Sequence, residues 1–380
     1  MLDVLLTASV AFIISFLAIP VILQIAEKKK LYDIPDERKV HTRLIASLGG
    51  VGIFAGFMLA ALLSIQGVPG SELQPFLAFF AAAFVIFFLG FKDDLMILSA
   101  TKKFIGQIIA ASILIHLGGI RLYSMHGLLG FTDLPEAFSL ALSYLTIIVV
   151  INSFNLIDGV DGLAASLGIL TMVVFGSYFF ATGYQAYALL SFSMAGSLVA
   201  FMIFNHHPAK IFMGDSGSLM IGLINSILVI KFINVSDAPF VAIQVPAAVA
   251  IGFAILIVPL LDTLRVFSIR IFNGRSPFTP DRNHVHHLLL DRGLSHAAVT
   301  FICVSINIAF ILLAWLGRGI GPNYLMLVML SLAFSGLGLL YYGNRRRNLV
   351  VAKEADGKAK LKPASQVVLL AKEASVAENN

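Results

Sequence analysis

The chain has 380 residues, 58% of them hydrophobic and only 12% charged, with a mean hydropathy of +0.92. That balance excludes a soluble globule and marks a polytopic membrane protein. The net charge of +5 is the one feature that would suit nucleic acid, but in a membrane chain it reports basic cytoplasmic loops, so no nucleic-acid partner is expected.

A membrane-crossing helix needs roughly 20 apolar residues. Eleven segments qualify, at about 2–25, 48–66, 75–91, 103–120, 138–155, 163–182, 187–204, 217–234, 244–268, 298–317 and 323–343. The first carries Asp3 and no basic lead, so it reads as an uncleaved span rather than a signal peptide. Of the 26 Lys and Arg, all but Arg121, Lys231 and Arg318 fall on one side of this arrangement. The positive-inside rule then puts the N-terminus outside and the C-terminus in the cytoplasm, in agreement with an odd number of spans. The predicted fold is therefore an all-α, polytopic integral membrane protein of about 11 transmembrane helices. Residues 1–343 form the transmembrane domain with its cytoplasmic loops. Residues 344–380 turn abruptly to Arg, Lys, Ala and Glu and read as a basic cytoplasmic tail, expected to be disordered. Its opening run Arg345-Arg346-Arg347 suits a stop-transfer anchor or a contact with anionic lipid. The single cysteine, Cys303, rules out an intrachain disulfide.

Five polar clusters fall on the same predicted face. The first loop, Asp33–Arg43, is rich in basic residues, which either satisfy the orientation rule or attract an anionic lipid head group. Lys92-Asp93-Asp94 follows the third span; adjacent carboxylates at a membrane edge repel unless a cation or base neutralises them. Asn152, Asn155, Asp158 and Asp161 recur every three residues in INSFNLIDGVDGL, a polar stripe at helical spacing. Capping needs one or two such residues; four in register suit a hard cation or a phosphorylated substrate. Gly159 and Gly162 permit a tight bend or a close backbone approach.

Met213–Ser218 opens the eighth span, where Asp215 either caps a helix or holds a metal. Asp281–His287 supplies Arg282 as a bidentate clamp, with His284 and His287 on one helical face and His286 elsewhere. Phosphate binding fits these imidazoles better than zinc, which takes a more complete ligand set. Asp262 and Arg265, three apart on the ninth span, read as a supporting pair, and His206 and His207 as interface markers. No Walker A motif and no Gly-x-Ser-x-Gly elbow is present. Carboxylates, basic donors and a membrane boundary suit Mg²⁺-assisted phosphoryl or phosphosugar transfer between a lipid phosphate and a soluble nucleotide.

Four of these motifs, KDD, NSFNLIDGVDGL, IFMGDSGSL and SPFTPDRNHVHHLLL, stand in the order of a known family. The chain resembles the polyprenyl-phosphate N-acetylhexosamine-1-phosphate transferases from about residue 28 to 298, and most of all the bacterial undecaprenyl-phosphate N-acetylglucosamine-1-phosphate transferases. Ala46 departs from the family pattern, which places proline before the Gly-Gly pair; the change bears on loop stiffness more than chemistry. The resemblance implies attack by undecaprenyl phosphate on a UDP-N-acetylhexosamine, with UMP released, as the first lipid-linked step of a cell-envelope polysaccharide. It implies Mg²⁺, with Mn²⁺ as a substitute, on Asp215 and Asn155, and catalytic roles for Asp93, Asp94, Asp158 and Asp161. Asn152, Lys102, Arg282, His284, His286 and His287 would bind substrate. The enzyme would sit in the bacterial inner (plasma) membrane with its active site facing the cytoplasm, and a homodimer is compatible with this reading. N-acetylglucosamine is the first expectation for the sugar; N-acetylfucosamine, N-acetylquinovosamine and MurNAc-pentapeptide are the alternatives. Two rival activities are a UDP-sugar hydrolase, with water in place of the lipid, and a cation transporter. A transporter would need ionisable groups at mid-span and internal repeats, and the chain offers neither clearly.

Overall fold

The computed structural model describes residues 2–32, 44–238, 240–272, 274 and 284–354. Among these, regular structure is entirely helical, and strand pairing is limited to two isolated bridges, Ala46 with Ile211 and Ser124 with Asp133. In chain order the helices are α1 (Leu2–Lys29), α2 (Gly49–Leu63), α3 (Gly70–Leu95), α4 (Ala100–Ser112), α5 (Glu136–Ile157), α6 (Leu163–Thr182) and α7 (Gln185–Asn205). They continue as α8 (Gly214–Val235), α9 (Ala248–Ile255), α10 (Ile257–Phe272), α11 (Val285–Leu290), α12 (His296–Leu316) and α13 (Pro322–Glu354). Met1–Leu332 form one compact unit; Ala333–Asn380 form a second, helical as far as Glu354, which lies beyond the boundary expected at 343.

Among the described residues, nine helices are long and apolar enough to cross a membrane. In lipid every backbone polar group must be satisfied within the segment, so runs of this composition become helices. Two of the eleven expected segments depart from a simple span. Segment 48–66 gives α2, which at 15 residues covers only about 22 Å. Segment 244–268 is broken into α9 and α10, which meet at an angle of 84°. The break frees backbone groups, and Asn307 of α12 takes them up: its Nδ2 donates to the Ile255 carbonyl at 3.0 Å and its Oδ1 accepts from Val258 N at 3.2 Å. Asn307 is fully buried, so one amide side chain makes a broken helix tolerable away from water.

The core is α8, of whose 22 residues all but four are buried. It is enclosed by α2, α3, α5, α6, α7 and α9. Small residues let the surrounding backbones come close. A Cβ on Gly222 would lie 2.5 Å from the Ile151 Cα of α5. A Cβ on Gly90 of α3 would lie 2.5 Å from the Ser216 amide and 2.6 Å from the Asp215 carbonyl. The α2 N-terminus docks onto the strand-like lead into α8, with Gly49 N on the Phe212 carbonyl at 2.9 Å, Gly50 N on the Met213 carbonyl at 2.8 Å, and Phe212 N on the Ala46 carbonyl at 2.8 Å. The start of α8 is thus fixed against α2 and α3 by backbone contact.

Candidate active site

At one end of the bundle the C-terminus of α3, the first turn of α4, the C-terminus of α5 and the N-terminus of α8 converge. The Lys103 ammonium lies 2.6 Å from Asp93 Oδ2 and 2.6 Å from Asp215 Oδ2. Asn155 donates its amide nitrogen to Asp215 Oδ1 at 2.9 Å and to Ser218 Oγ at 3.0 Å. The Asn155 side-chain amide thus stands directly beside the Asp215 carboxylate.

The two adjacent aspartates do different things. Asp94 accepts from Asp215 N at 2.6 Å, from Ser216 N at 3.1 Å and from Ser216 Oγ at 2.6 Å. It caps α8 from a neighbouring helix, where four N–H groups lack intrahelical partners and the dipole favours an anion. Gly214, at φ +72, lets the backbone turn over that carboxylate; a Cβ there would fall 2.7 Å from both Asp94 oxygens. Asp93 instead accepts from Leu98 N at 2.6 Å and faces Lys103 and Asp215.

The stripe predicted from INSFNLIDGVDGL is helical only in its first half. Asn152 and Asn155 lie on α5, but Asp158 is the residue after its last turn, and the chain swings away before Gly162, at φ +76, starts α6. Burial, and then the charges of Asp215, Asp94 and Asp161, push the Asp158 carboxyl up to about 8. Asp161 is carried to a different partner set: His207 Nδ1 lies 2.7 Å from Oδ2, His296 Nδ1 lies 3.4 Å from Oδ1, and Ala209 N donates to Oδ2 at 3.3 Å. Burial alone would raise its pKa, but the hydrogen bonds from His296 and His207 hold it below the usual carboxylate range. Asn152 is engaged one turn deeper, exchanging hydrogen bonds with Gln107 at 2.8 and 3.3 Å.

The histidine motif also differs from simple helical expectation. His284 is the extended residue before α11, so His286 joins the other two rings instead of facing elsewhere. The His284 and His286 rings stack with centroids 5.4 Å apart, and His286 and His287 stand at 4.5 Å. His284 Nδ1 bonds Asp262 Oδ2 at 2.8 Å, while Val285 N donates to Asp262 Oδ1 at 2.7 Å. A proton on Nδ1 leaves Nε2 of His284 as the working nitrogen. His286 is buried against the backbone of Gly159, where any Cβ would collide with its ring, and burial pushes its pKa down to about 3. Its Nδ1 has no hydrogen-bond partner among the described residues.

The constellation offers carboxylates around the Lys103 ammonium, a cluster of three imidazoles and a capped helix N-terminus at one end of the bundle. The family model described as Glycosyl transferase family 4 matches residues 76–233. A Bacillus subtilis (strain 168) protein named "Probable undecaprenyl-phosphate N-acetylglucosaminyl 1-phosphate transferase" is 34% identical over 310 residues, covering 79% of this chain and 82% of its own. The chain belongs to the polyprenyl-phosphate N-acetylhexosamine-1-phosphate transferase family. The decaprenyl-phosphate N-acetylglucosaminephosphotransferase of Mycobacterium tuberculosis (strain ATCC 25618 / H37Rv) is 35% identical, covering 77% of each chain. An undecaprenyl-phosphate alpha-N-acetylglucosaminyl 1-phosphate transferase of Yersinia pestis is 29% identical, covering 85% of this chain and 87% of its own.

In this member of the family, the expected site residues separate into groups. Asp93, Asn155 and Asp215 share one centre, and Asp94 lies directly behind it. His284, His286 and His287 form an imidazole cluster that abuts Gly159. Asn152 is tied to α4. Arg282 and the loop Asp33–Arg43 lie outside the described residues. The lysine at the carboxylates is Lys103; Lys102, one position earlier on α4, is exposed. Gln107, a lone polar residue buried in this apolar helix, marks the inward face, and Lys103 shares that face by standing four residues before it. His207 and His296 had no such signal, because only the folded chain brings them to Asp161.

Proposed function

We propose that this chain transfers N-acetylhexosamine 1-phosphate, N-acetylglucosamine 1-phosphate first among them, from a UDP-sugar to a polyprenyl phosphate such as undecaprenyl phosphate. The observation that carries the proposal is the placement of Lys103 Nζ at 2.6 Å from both Asp93 and Asp215, with Asn155 beside them. An ammonium held by two carboxylates marks a place where positive charge belongs. Oxygen-only donors from Asp215, Asn155 and Asp93 fit a hard divalent cation, Mg²⁺ with Mn²⁺ in substitution. Such an ion would neutralise the diphosphate and the developing charge on the leaving phosphate.

In the proposed reaction a lipid phosphate oxygen attacks the β-phosphorus of the UDP-sugar. The bond from that phosphorus to the bridging oxygen breaks, and the bridging oxygen leaves with UMP. A phosphate monoester is already mostly dianionic near pH 7. Asp93 therefore orients the lipid phosphate, with Lys103, more than it removes a proton. Asp94 holds the N-terminus of α8, and with it Asp215, in place. Asp158 and the loop to Asp161 line the nucleotide side. His284, His286 and His287, with Arg282, grip the diphosphate and sugar. The working orientation is N-terminus outside and this face cytoplasmic, in a bacterial inner membrane, with α2 and the bent α9–α10 pair counted toward eleven crossings. Residues 1–343 carry the activity, and 344–380 form the basic tail.

The test uses detergent-purified protein with Mg²⁺, undecaprenyl phosphate and a panel of UDP-sugars, following UMP with and without lipid. Lipid-dependent UMP from UDP-N-acetylglucosamine supports reaction and donor together. Activity only with another N-acetylated sugar keeps the mechanism and changes the donor. UMP without lipid would make the chain a hydrolase, and no UMP from any donor would refute the proposal.

A further inference from the structure

We infer that Asp161, His207 and His296 form a second metal site, selective for a borderline-soft divalent ion of the Zn²⁺ type and distinct from the oxygen-lined centre at Asp93 and Asp215. The three residues come from three separate segments: the turn after α5, the loop after α7 and the first residue of α12. One ligand atom from each lies within 4.8 Å of the others, and the two imidazole rings stand 4.7 Å apart. Two imidazoles and one carboxylate are the ligand types that zinc takes, with a fourth position left for water. Hard Mg²⁺ prefers an all-oxygen set, so the donor chemistry sorts the two ions to different places.

The geometry is close to what coordination requires. Bonds of about 2.0–2.1 Å in a tetrahedron place neighbouring ligand atoms roughly 3.4 Å apart. His296 Nδ1 and Asp161 Oδ1 already stand at 3.4 Å, and the ion would replace the 3.3 Å hydrogen bond that Nδ1 accepts from Asp161 N. His207 Nδ1, hydrogen-bonded to Oδ2 at 2.7 Å, must withdraw by roughly 0.7 Å. Its side chain is 43% exposed, which leaves room for that movement and a path for the ion. Asp161 and His296 are held more firmly, at 10% and 16% exposure. Further bonds orient the carboxylate's backbone: Thr300 Oγ1 donates to the Asp161 carbonyl at 3.1 Å, and Gly162 N donates to Asn205 Oδ1 at 2.8 Å. An ion here would tie the α5–α6 turn to the lead into α8 and to the start of α12.

The experiment takes the full chain in detergent, freed of any histidine tag and stripped with chelator, in millimolar Mg²⁺. Zn²⁺ is added, unbound metal is removed by gel filtration, and the retained metal is measured; Co²⁺ is used in parallel for its visible absorption. About one Zn²⁺ per chain is expected, with a four-coordinate Co²⁺ spectrum. Each of His207→Gln and His296→Gln should weaken binding at least about tenfold. His287→Gln, in the other histidine cluster, should leave it unchanged. Zn²⁺ should also raise the thermal midpoint of the native chain, reversibly with EDTA, and the exposed-site variant His207→Gln should lose that rise even if His296→Gln folds poorly. No Zn²⁺ retained over Mg²⁺, undiminished binding by the double variant, or loss through His287→Gln alone would each overturn the inference. These readouts follow metal rather than turnover, so they stand whatever the UMP assay gives.

Discussion

Replacing Asp94 with alanine separates the two adjacent aspartates by what each supports. The carboxylate accepts three hydrogen bonds, two from backbone N–H groups in the first turn of α8. Buried hydrogen bonds of this kind contribute about 1–2 kcal/mol each when removal leaves the partner unsatisfied. Ser216 is fully buried, but the three donors lie in one turn and share one carboxylate, so the three do not add in full. A net loss of about 3–4 kcal/mol follows, above the usual cost of an ordinary cap. Asp93→Asn keeps an acceptor for Leu98 N and weakens one partly exposed ion pair, for about 1 kcal/mol. At about 2 °C per kcal/mol for a chain of this size, the midpoint falls by about 6–8 °C for Asp94→Ala and about 2 °C for Asp93→Asn. Cys303 supplies the assay: it is the only cysteine and 2% exposed, so a thiol-reactive dye stays dark until the bundle opens. Equal small shifts, or a larger fall for Asp93→Asn, would refute the division of labour.

Asp93→Asn should also retain substantial UMP-releasing activity at alkaline pH, since the residue orients an acceptor that is already ionised. A pH-independent loss beyond about three orders of magnitude, about 4 kcal/mol of barrier, would contradict that. Lys103→Met should lower activity on the order of 10²-fold, while Lys102→Met stays within a few-fold of the native chain; comparable losses would show that the inward face of α4 is misassigned. Asp158, raised to about 8 in the folded chain against an ordinary 3.8, is protonated in the native state and ionised in the unfolded state across that window. Stability in EDTA should therefore fall as pH rises from about 4 to 8, by up to about 1.4 kcal/mol per pH unit from this group, and Asp158→Asn should flatten the slope in midpoint-against-pH scans. Asp262→Asn should reduce turnover by roughly tenfold or more while leaving Zn²⁺ retention untouched, because it alters the proton position on His284 alone; a loss of Zn²⁺ would mean that the two histidine groups are coupled.

Most of the helical framework was legible because an apolar run of sufficient length has few alternatives in lipid. The break between α9 and α10 has a sequence cause in Pro259, which has no N–H to donate to the Ile255 carbonyl four residues earlier; the compensating amide, Asn307, lies on another helix and leaves no trace in the segment itself. The three-residue spacing of Asn152, Asn155, Asp158 and Asp161 extends a helical register too far, because α5 ends at Ile157 and Gly162, at positive φ, already leads into α6. Lys103, one residue beyond the expected Lys102, is the lysine that meets the carboxylates, and one residue on a helix is a rotation of about 100°. Partners such as His207 with Asp161 depend on tertiary approach and leave no periodic trace.

The floor of the candidate site is made of main chain. Gly50 lies against the Ser216–Gly217 backbone, Gly90 against Asp215, and Gly214 over Asp94. Positions without side chains cannot be retuned by substitution, since even a methyl group at Gly90 or Gly214 meets fixed atoms within 2.7 Å. The backbone geometry around Asp94 and Asp215 is therefore closed to gradual adaptation by side-chain substitution. Change in a chain of this design is left to the residues that carry side chains around that floor.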